Sequence, residues 1–222
     1  MLLATPAIAE LKPAPPAAEL VSINTHEHFK LRPDTHGKFG KKELHGWTRF
    51  MRCWHTGRQH AMAPRLAELI YTTAQHFEFH LIRLYDGYRA PRVARAKGNT
   101  KSPHKKGIAA DFVIEGVDNK VLRDYLFTQF ERVGVGYYPN SSFVHLDVRP
   151  GKGKAFWTDY SFPNQRQSKS FYSKKSWEQI KADEETMDAL HKEGEEGGEE
   201  PPKNDSPGVV APKPPDLGPA TP

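Results

Sequence analysis

The sequence predicts an α+β domain, a small, mostly antiparallel sheet with two or three helices packed on it. Three observations carry this. Apolar residues recur at helical spacing in two stretches of the first half. Short apolar stretches alternate further on, and Pro139-Asn140-Ser141 joins two of them as a hairpin would. Both ends of the chain lose this patterning and fill with Ala, Pro, Gly and charge. The expected organisation is an Ala/Pro-rich leader over 1–19, a folded domain over 20–162 and a charged, Pro-rich, largely disordered tail over 163–222.

The elements follow in order. Val21–Asn24 alternates and is expected as a first strand, with loop or hairpin over 24–41. Leu44, Trp47, Phe50, Met51 and Trp54 share one helical face, so a helix is expected from about Lys42 to His55, stopped near Thr56-Gly57. Pro64 suits the first turn of a second helix, whose face carries Leu66, Leu69, Ile70, Thr73 and Phe77. A strand is expected over Phe79–Tyr85, turned by Asp86-Gly87-Tyr88-Arg89, and 90–103 read as a long basic surface loop. Ile108–Ile114 is a short apolar strand. Asp118 can cap a third helix carrying Val121, Leu122, Tyr125, Leu126 and Phe130. Val133–Tyr138 and Phe143–Val148 form the hairpin, and a charged helix is possible over 174–193.

Composition narrows the function. Hydrophobic residues make up 37% and mean hydropathy is −0.71, so part of the chain is expected to stay unfolded, while twelve Phe, eight Tyr and four Trp supply a core. The net charge is +5, yet from Ser168 onward seven basic residues face twelve acidic ones, leaving the preceding body at +10. A basic body suits a polyanionic partner. The chain carries no nucleic-acid motif, so no nucleic-acid partner is assigned and the anionic bacterial wall is the other candidate. The single Cys53 excludes an internal disulfide and a cysteine-based metal cluster, and its apolar neighbours mark it as core. No stretch is apolar and long enough to span a membrane. Ala7-Ile8-Ala9 has the small-x-small form of a signal-cleavage site, so an exported, periplasmic protein with an incomplete signal is expected.

The chemistry concentrates in two places. In Ser102-Pro103-His104-Lys105-Lys106-Gly107-Ile108-Ala109-Ala110-Asp111, Gly107 lets the chain fold His104 back beside Asp111. Strand alternation puts Ala109 on the face of Asp111, where its small side chain leaves room for a metal. In Phe143-Val144-His145-Leu146-Asp147, Val144 and Leu146 point to the core while His145 and Asp147 share the opposite face. Two imidazoles and a carboxylate from His104, Asp111 and His145 make a common catalytic Zn2+ set, with the fourth position left for a water whose pKa the ion lowers to about 7. Asp147 is the candidate general base, or else the carboxylate that orients His145. Arg89 is the candidate for binding a substrate carbonyl oxygen or carboxylate, or else it forms a salt bridge to Asp86 or another acid. The other nine histidines, His26 and His28 among them, read as surface residues.

With these residues the sequence resembles the zinc peptidases that include D-alanyl-D-alanine carboxypeptidases, lysostaphin and the hedgehog signalling domain. It is most similar to their K-type murein endopeptidase branch, through Ser102–Asp111, Ser22-Ile23-Asn24-Thr25-His26, Asp86–Arg89, Gly134-Val135-Gly136-Tyr137-Tyr138-Pro139 and Phe143–Asp147, over about Val21 to Trp157. The resemblance implies the hedgehog/D-Ala-D-Ala peptidase fold over 20–162, zinc at His104, Asp111 and His145, and hydrolysis of peptidoglycan stem-peptide cross-links, often those between diaminopimelate residues. The arginine of the family's Ser-Gly-Tyr-Arg motif matches Arg89. Two positions depart from the pattern. Asp86 stands where the family usually has Ser, and Ser142 stands where the carboxypeptidases have Glu. The alternative to a peptidase is a zinc-containing wall-binding or signalling module on the same scaffold.

Overall fold

The computed structural model describes residues 13–96, 101–151, 153–162, 172–173 and 175–196. The signal-like segment 1–12, part of the basic loop (97–100) and most of the expected disordered tail (163–171 and 197–222) lie outside the described residues. Met1–Gln179 forms one compact unit and Ile180–Pro222 another.

The first unit is an α+β fold built on one seven-stranded sheet. The strands are β1 (Ala18–Ser22), β2 (His28–Leu31), β3 (Ile82–Asp86), β4 (Ala109–Ile114), β5 (Val133–Tyr138), β6 (Phe143–Val148) and β7 (Ala155–Thr158). Their order across the sheet is β2-β1-β3-β4-β6-β5-β7. The β1–β3 and β5–β7 pairs are parallel and the other four are antiparallel. Helices α1 (Lys41–Phe50), α2 (Pro64–His76), α3 (Pro91–Ala96) and α4 (Asn119–Gln129) join them, with a 3-10 turn, η1, at Pro103–Lys106. A last helix, α5, runs Trp177–Glu196.

One face of the sheet is the core. Leu20, Ile82, Leu84, Phe112, Ile114, Val133, Val135, Val144 and Leu146 are buried with Leu66, Ile70 and Ala74 of α2 and Leu122 and Leu126 of α4. Each fully buried aliphatic or aromatic side chain is worth about 1.5–3 kcal/mol. A one-residue slip of β4 or β6 would turn several of them over, so this face fixes the register. The opposite face of the same strands carries Asp111, His145, Asp147, Gly134 and Gly136, and the register of the core thereby decides which of these meet.

Helix boundaries follow local chemistry. Pro64 occupies the first turn of α2, and the Asp118 carboxylate caps α4 by accepting from the backbone N–H of Lys120 at 2.7 Å. The expected long first helix instead ends at Phe50. The Met51 carbonyl accepts from the Tyr88 N–H at 2.7 Å, and Cys53 to Arg58 close a tight loop. The strand expected from Phe79 begins only at Ile82. Glu78 and Phe79 take left-handed backbone (φ 53° and 59°), ending α2 without a glycine while Phe79 packs on Tyr71. β2 pairs with β1 as the hairpin expected over 24–41, whereas β7, beyond the β5–β6 hairpin, is a strand that the sequence pattern does not announce. The first strand also begins at Ala18, inside the expected leader. The basic loop after Arg89 holds α3 and η1.

Candidate metal centre

A single row of residues crosses five strands. Asp86 (β3) pairs with Asp111 (β4), Asp111 with His145 (β6), His145 with Gly136 (β5) and Gly136 with Trp157 (β7). A bulge between Leu84 and Asp86 brings Asp86 into the row. The next row is Ala109, Asp147, Gly134 and Ala155.

His104 reaches this row from η1. Gly107 ends the turn in left-handed backbone (φ 65°), and a Cβ there would collide with the Ala61 carbonyl. The chain then enters β4 directly. His104, Asp111 and His145 are all at most 5% exposed, and one donor atom of each comes together. His104 Nε2 lies 3.1 Å from His145 Nδ1 and 3.2 Å from Asp111 Oδ1, and Asp111 Oδ1 lies 2.7 Å from His145 Nδ1.

The outer nitrogens set the tautomers. His104 Nδ1 is 2.6 Å from the Gly87 carbonyl, which only accepts, so that nitrogen carries the proton and Nε2 presents a lone pair. His145 Nε2 is 3.2 Å from Asp147 Oδ2, so it carries the proton and Nδ1 is bare. With both rings neutral, two lone pairs and a carboxylate oxygen thus converge on one point, as a cation site needs. Tetrahedral ligation at about 2.0–2.1 Å sets neighbouring ligand atoms roughly 3.3 Å apart, close to the two His104 separations and somewhat longer than that between His145 and Asp111. The donor set fits a metal ion. In its absence a proton takes that place: burial disfavours the charged His145 ring, but hydrogen bonds to Asp111 and Asp147 outweigh it and push its pKa up to about 9. Burial likewise opposes the Asp111 carboxylate, and His104 and His145 hold it well below the usual carboxylate range.

The surroundings lock these groups. Asp147 is 2% exposed, and its second oxygen pairs with Arg149 Nε at 3.1 Å. Both of its oxygens are engaged on the far side of the His145 ring. Arg89, 8% exposed, donates to Asp86 through Nε at 2.9 Å and lies 3.6 Å from Asp111 Oδ2. Trp157 packs against His145 with ring centroids 5.1 Å apart and donates from Nε1 to Tyr138 Oη at 3.1 Å. Gly136 makes this possible, since a Cβ there would stand 2.5 Å from the indole. At Gly134 a Cβ would collide with the Asp147 carboxylate.

The structure therefore brings His104, Asp111 and His145 together, with Asp147 behind one imidazole and Arg89 behind the carboxylate. Ser142 is exposed in the β5–β6 turn (φ 54°). His26 and His28 are exposed at the β1–β2 hairpin. The sequence reading missed Trp157 and the roles of Gly87, Gly134 and Gly136. Two glycines two apart inside a strand were the available signal, because interior strand glycines mark close approach.

A family model described as peptidoglycan L,D-endopeptidase MepK matches residues 12–153, which leaves β7 and Trp157 outside the matched stretch. The peptidoglycan L,D-endopeptidase MepK of Escherichia coli (strain K12) is 31% identical over 159 residues, covering 68% of this chain and 87% of that protein. The probable peptidoglycan L,D-endopeptidase MepK of Haemophilus influenzae is 31% identical over 146 residues, covering 62% of this chain and 78% of that protein. No solved structure matches the chain.

Proposed function

We propose, from the premise that this chain belongs to the M15-type zinc peptidase family of the peptidoglycan L,D-endopeptidases MepK, that it hydrolyses peptide cross-links in bacterial peptidoglycan with a zinc ion at His104, Asp111 and His145. The observation that carries this is the convergence of one ring nitrogen each from His104 and His145 and one carboxylate oxygen of Asp111 within 3.2 Å of one another. The bond cut is an L,D linkage of the kind that the relatives' name specifies. A cell-wall substrate implies export to the periplasm; among the described residues no helix is long and apolar enough to cross a membrane.

Zinc at this site supplies Lewis acidity, polarising the scissile carbonyl and lowering the pKa of the attacking water to about 7. The Gly87 carbonyl and the Asp147 carboxylate fix the two ring tautomers, so both imidazoles present a lone pair without rotating. Arg89 draws on Asp111 Oδ2 and leaves Oδ1 to face the donor atoms of the imidazoles. Trp157 covers one side of His145 and keeps bulk water from that ring. Asp147 acts here as the carboxylate that orients His145. Its contact with the outer ring nitrogen supports that role over the general-base role open at the sequence level.

Digestion of purified cross-linked muropeptides, with metal content measured on the same sample, tests the reading. The expected result is cleavage at L,D cross-links that a chelator abolishes and zinc restores. A protein that holds zinc and leaves every muropeptide intact would instead be the wall-binding module.

A further inference from the structure

We propose that a cavity beside the metal centre is a subsite for a free carboxylate of the substrate's stem peptide, with Arg92 as its cation. This rests on the reading of the centre as a peptidoglycan peptidase. Stem peptides carry several free carboxylates, so a peptidase for them gains from a cation near the scissile bond.

Arg89 occupies the position where the sequence suggested such a cation, but its charge is already engaged. Burial works against its charged form, Asp86 and Asp111 outweigh that, and the guanidinium stays charged between two carboxylates. In this chain the second carboxylate comes from Asp86, where the family usually has Ser. The Arg89 guanidinium is held by these two carboxylates and is not free to pair with a substrate carboxylate.

The next cation along the chain is Arg92. It is exposed, and no described carboxylate pairs with it. It lines a cavity of about 420 Å³ with His55, Thr56, Val93 and Ala96. That volume suits one or two residues of a bound peptide. Val93 and Ala96 add apolar walls, and the fork of the guanidinium suits a bidentate pair with a carboxylate.

Short stretches of chain tie both walls of the cavity to residues of the metal centre. On one side, helical bonding begins at Ala90, whose carbonyl accepts from Ala94 N–H at 3.0 Å, and Arg92 follows Arg89 by three residues. Even fully extended, three residues reach only about 10 Å. On the other side, the Met51 carbonyl holds Tyr88 N–H at 2.7 Å, and a Cβ on Gly87 would stand 2.6 Å from that carbonyl. The loop then returns on itself, with Gly57 N–H donating to Cys53 O at 2.7 Å, and presents His55 and Thr56. Gly87 is the residue whose carbonyl holds His104. A peptide whose scissile bond lies at the donor triad has its next residue or two within reach of Arg92.

The test compares Arg92→Gln with wild type and with Arg95→Gln, a neighbouring cation of α3 that does not line the cavity. Two substrates are used, a cross-linked muropeptide with free carboxylates and the same muropeptide with its carboxylates amidated. For the acidic substrate, Arg92→Gln is expected to raise KM about tenfold, the loss of one charge-assisted contact, while Arg95→Gln changes KM less than about twofold. For the amidated substrate, wild type and Arg92→Gln are expected to share one KM. Equal losses on both substrates, no loss, or an equal loss in Arg95→Gln would overturn the subsite. If wild type cleaves neither substrate, the peptidase reading fails by itself. The subsite is then judged by calorimetric binding of a free stem tetrapeptide to the zinc-loaded proteins, where equal Kd values for wild type and Arg92→Gln would overturn it.

Discussion

Trp157 lies directly across from Gly136, and the missing side chain of Gly136 is what lets the indole reach His145. Strand β7 thereby contributes to a centre whose donor atoms all come from other elements.

Gly136→Ala is expected to cost about 1–3 kcal/mol, the range for overpacking a filled site. The backbone at Gly136 is ordinary strand, so the cost is that of displacing the indole. Trp157→Ala in the same chain should remove most of that cost, because the two residues share one space. Denaturant midpoints of the two single variants and the double variant measure the coupling. Additive effects would sink the packing argument.

Asp147→Ala removes the carboxylate behind His145 Nε2 and leaves the three donor atoms in place. Loss of such an orienting group costs roughly 10–100-fold in metal affinity or activity. Competition with a chromophoric chelator should show weaker zinc binding. Unchanged zinc affinity together with lost turnover would return Asp147 to the role of proton acceptor.

Arg89→Ala leaves Asp86 and Asp111 as adjacent buried carboxylates, and breaking such a pair costs about 3–5 kcal/mol. Asp86→Ser should cost much less, since Asp111 still faces Arg89 at 3.6 Å. Thermal unfolding of the metal-free variants checks the order. Equal losses in both would mean that Asp86 alone neutralises Arg89.

Metal-free protein and metal binding should respond to pH with opposite signs. The His145 pKa is about 9 in the metal-free fold against 6.5 ordinarily, so its contribution to stability is complete below pH 6.5 and is lost as pH rises through 9. Asp111 and Asp147 are held below their ordinary 3.8, so their contribution is present above that value and lost as pH falls beneath it. Metal-free protein should be most stable between about pH 4 and 6.5. Zinc must displace the His145 proton, so zinc affinity should rise by up to about tenfold per pH unit from pH 6.5 to 9. Chemical denaturation with and without chelator across this range measures both trends.

Much of the centre was legible because strand alternation is strict. Once Val144 and Leu146 are core, His145 and Asp147 must share the other face, and Phe112 and Ile114 do the same for Asp111. Pro64 and Asp118 likewise announce the helices they start. What escaped depends on contacts between distant segments. Phe50 ends α1 because Tyr88 needs the Met51 carbonyl. The side of His145 that Asp147 occupies depends on how the ring is turned, which spacing does not record. The bulge that brings Asp86 into the row with Asp111 has no local mark. Trp157 belongs to a strand that pairs only once the hairpin has formed.

Zinc stoichiometry of purified wild type beside His104→Ala, Asp111→Ala and His145→Ala, with circular dichroism to confirm folding, is the most direct measurement. One ion per chain in wild type and almost none in each folded variant is the expected result. Wild type that cleaves muropeptides with no bound metal, or folded variants that keep a full equivalent, would contradict a centre built on these three side chains.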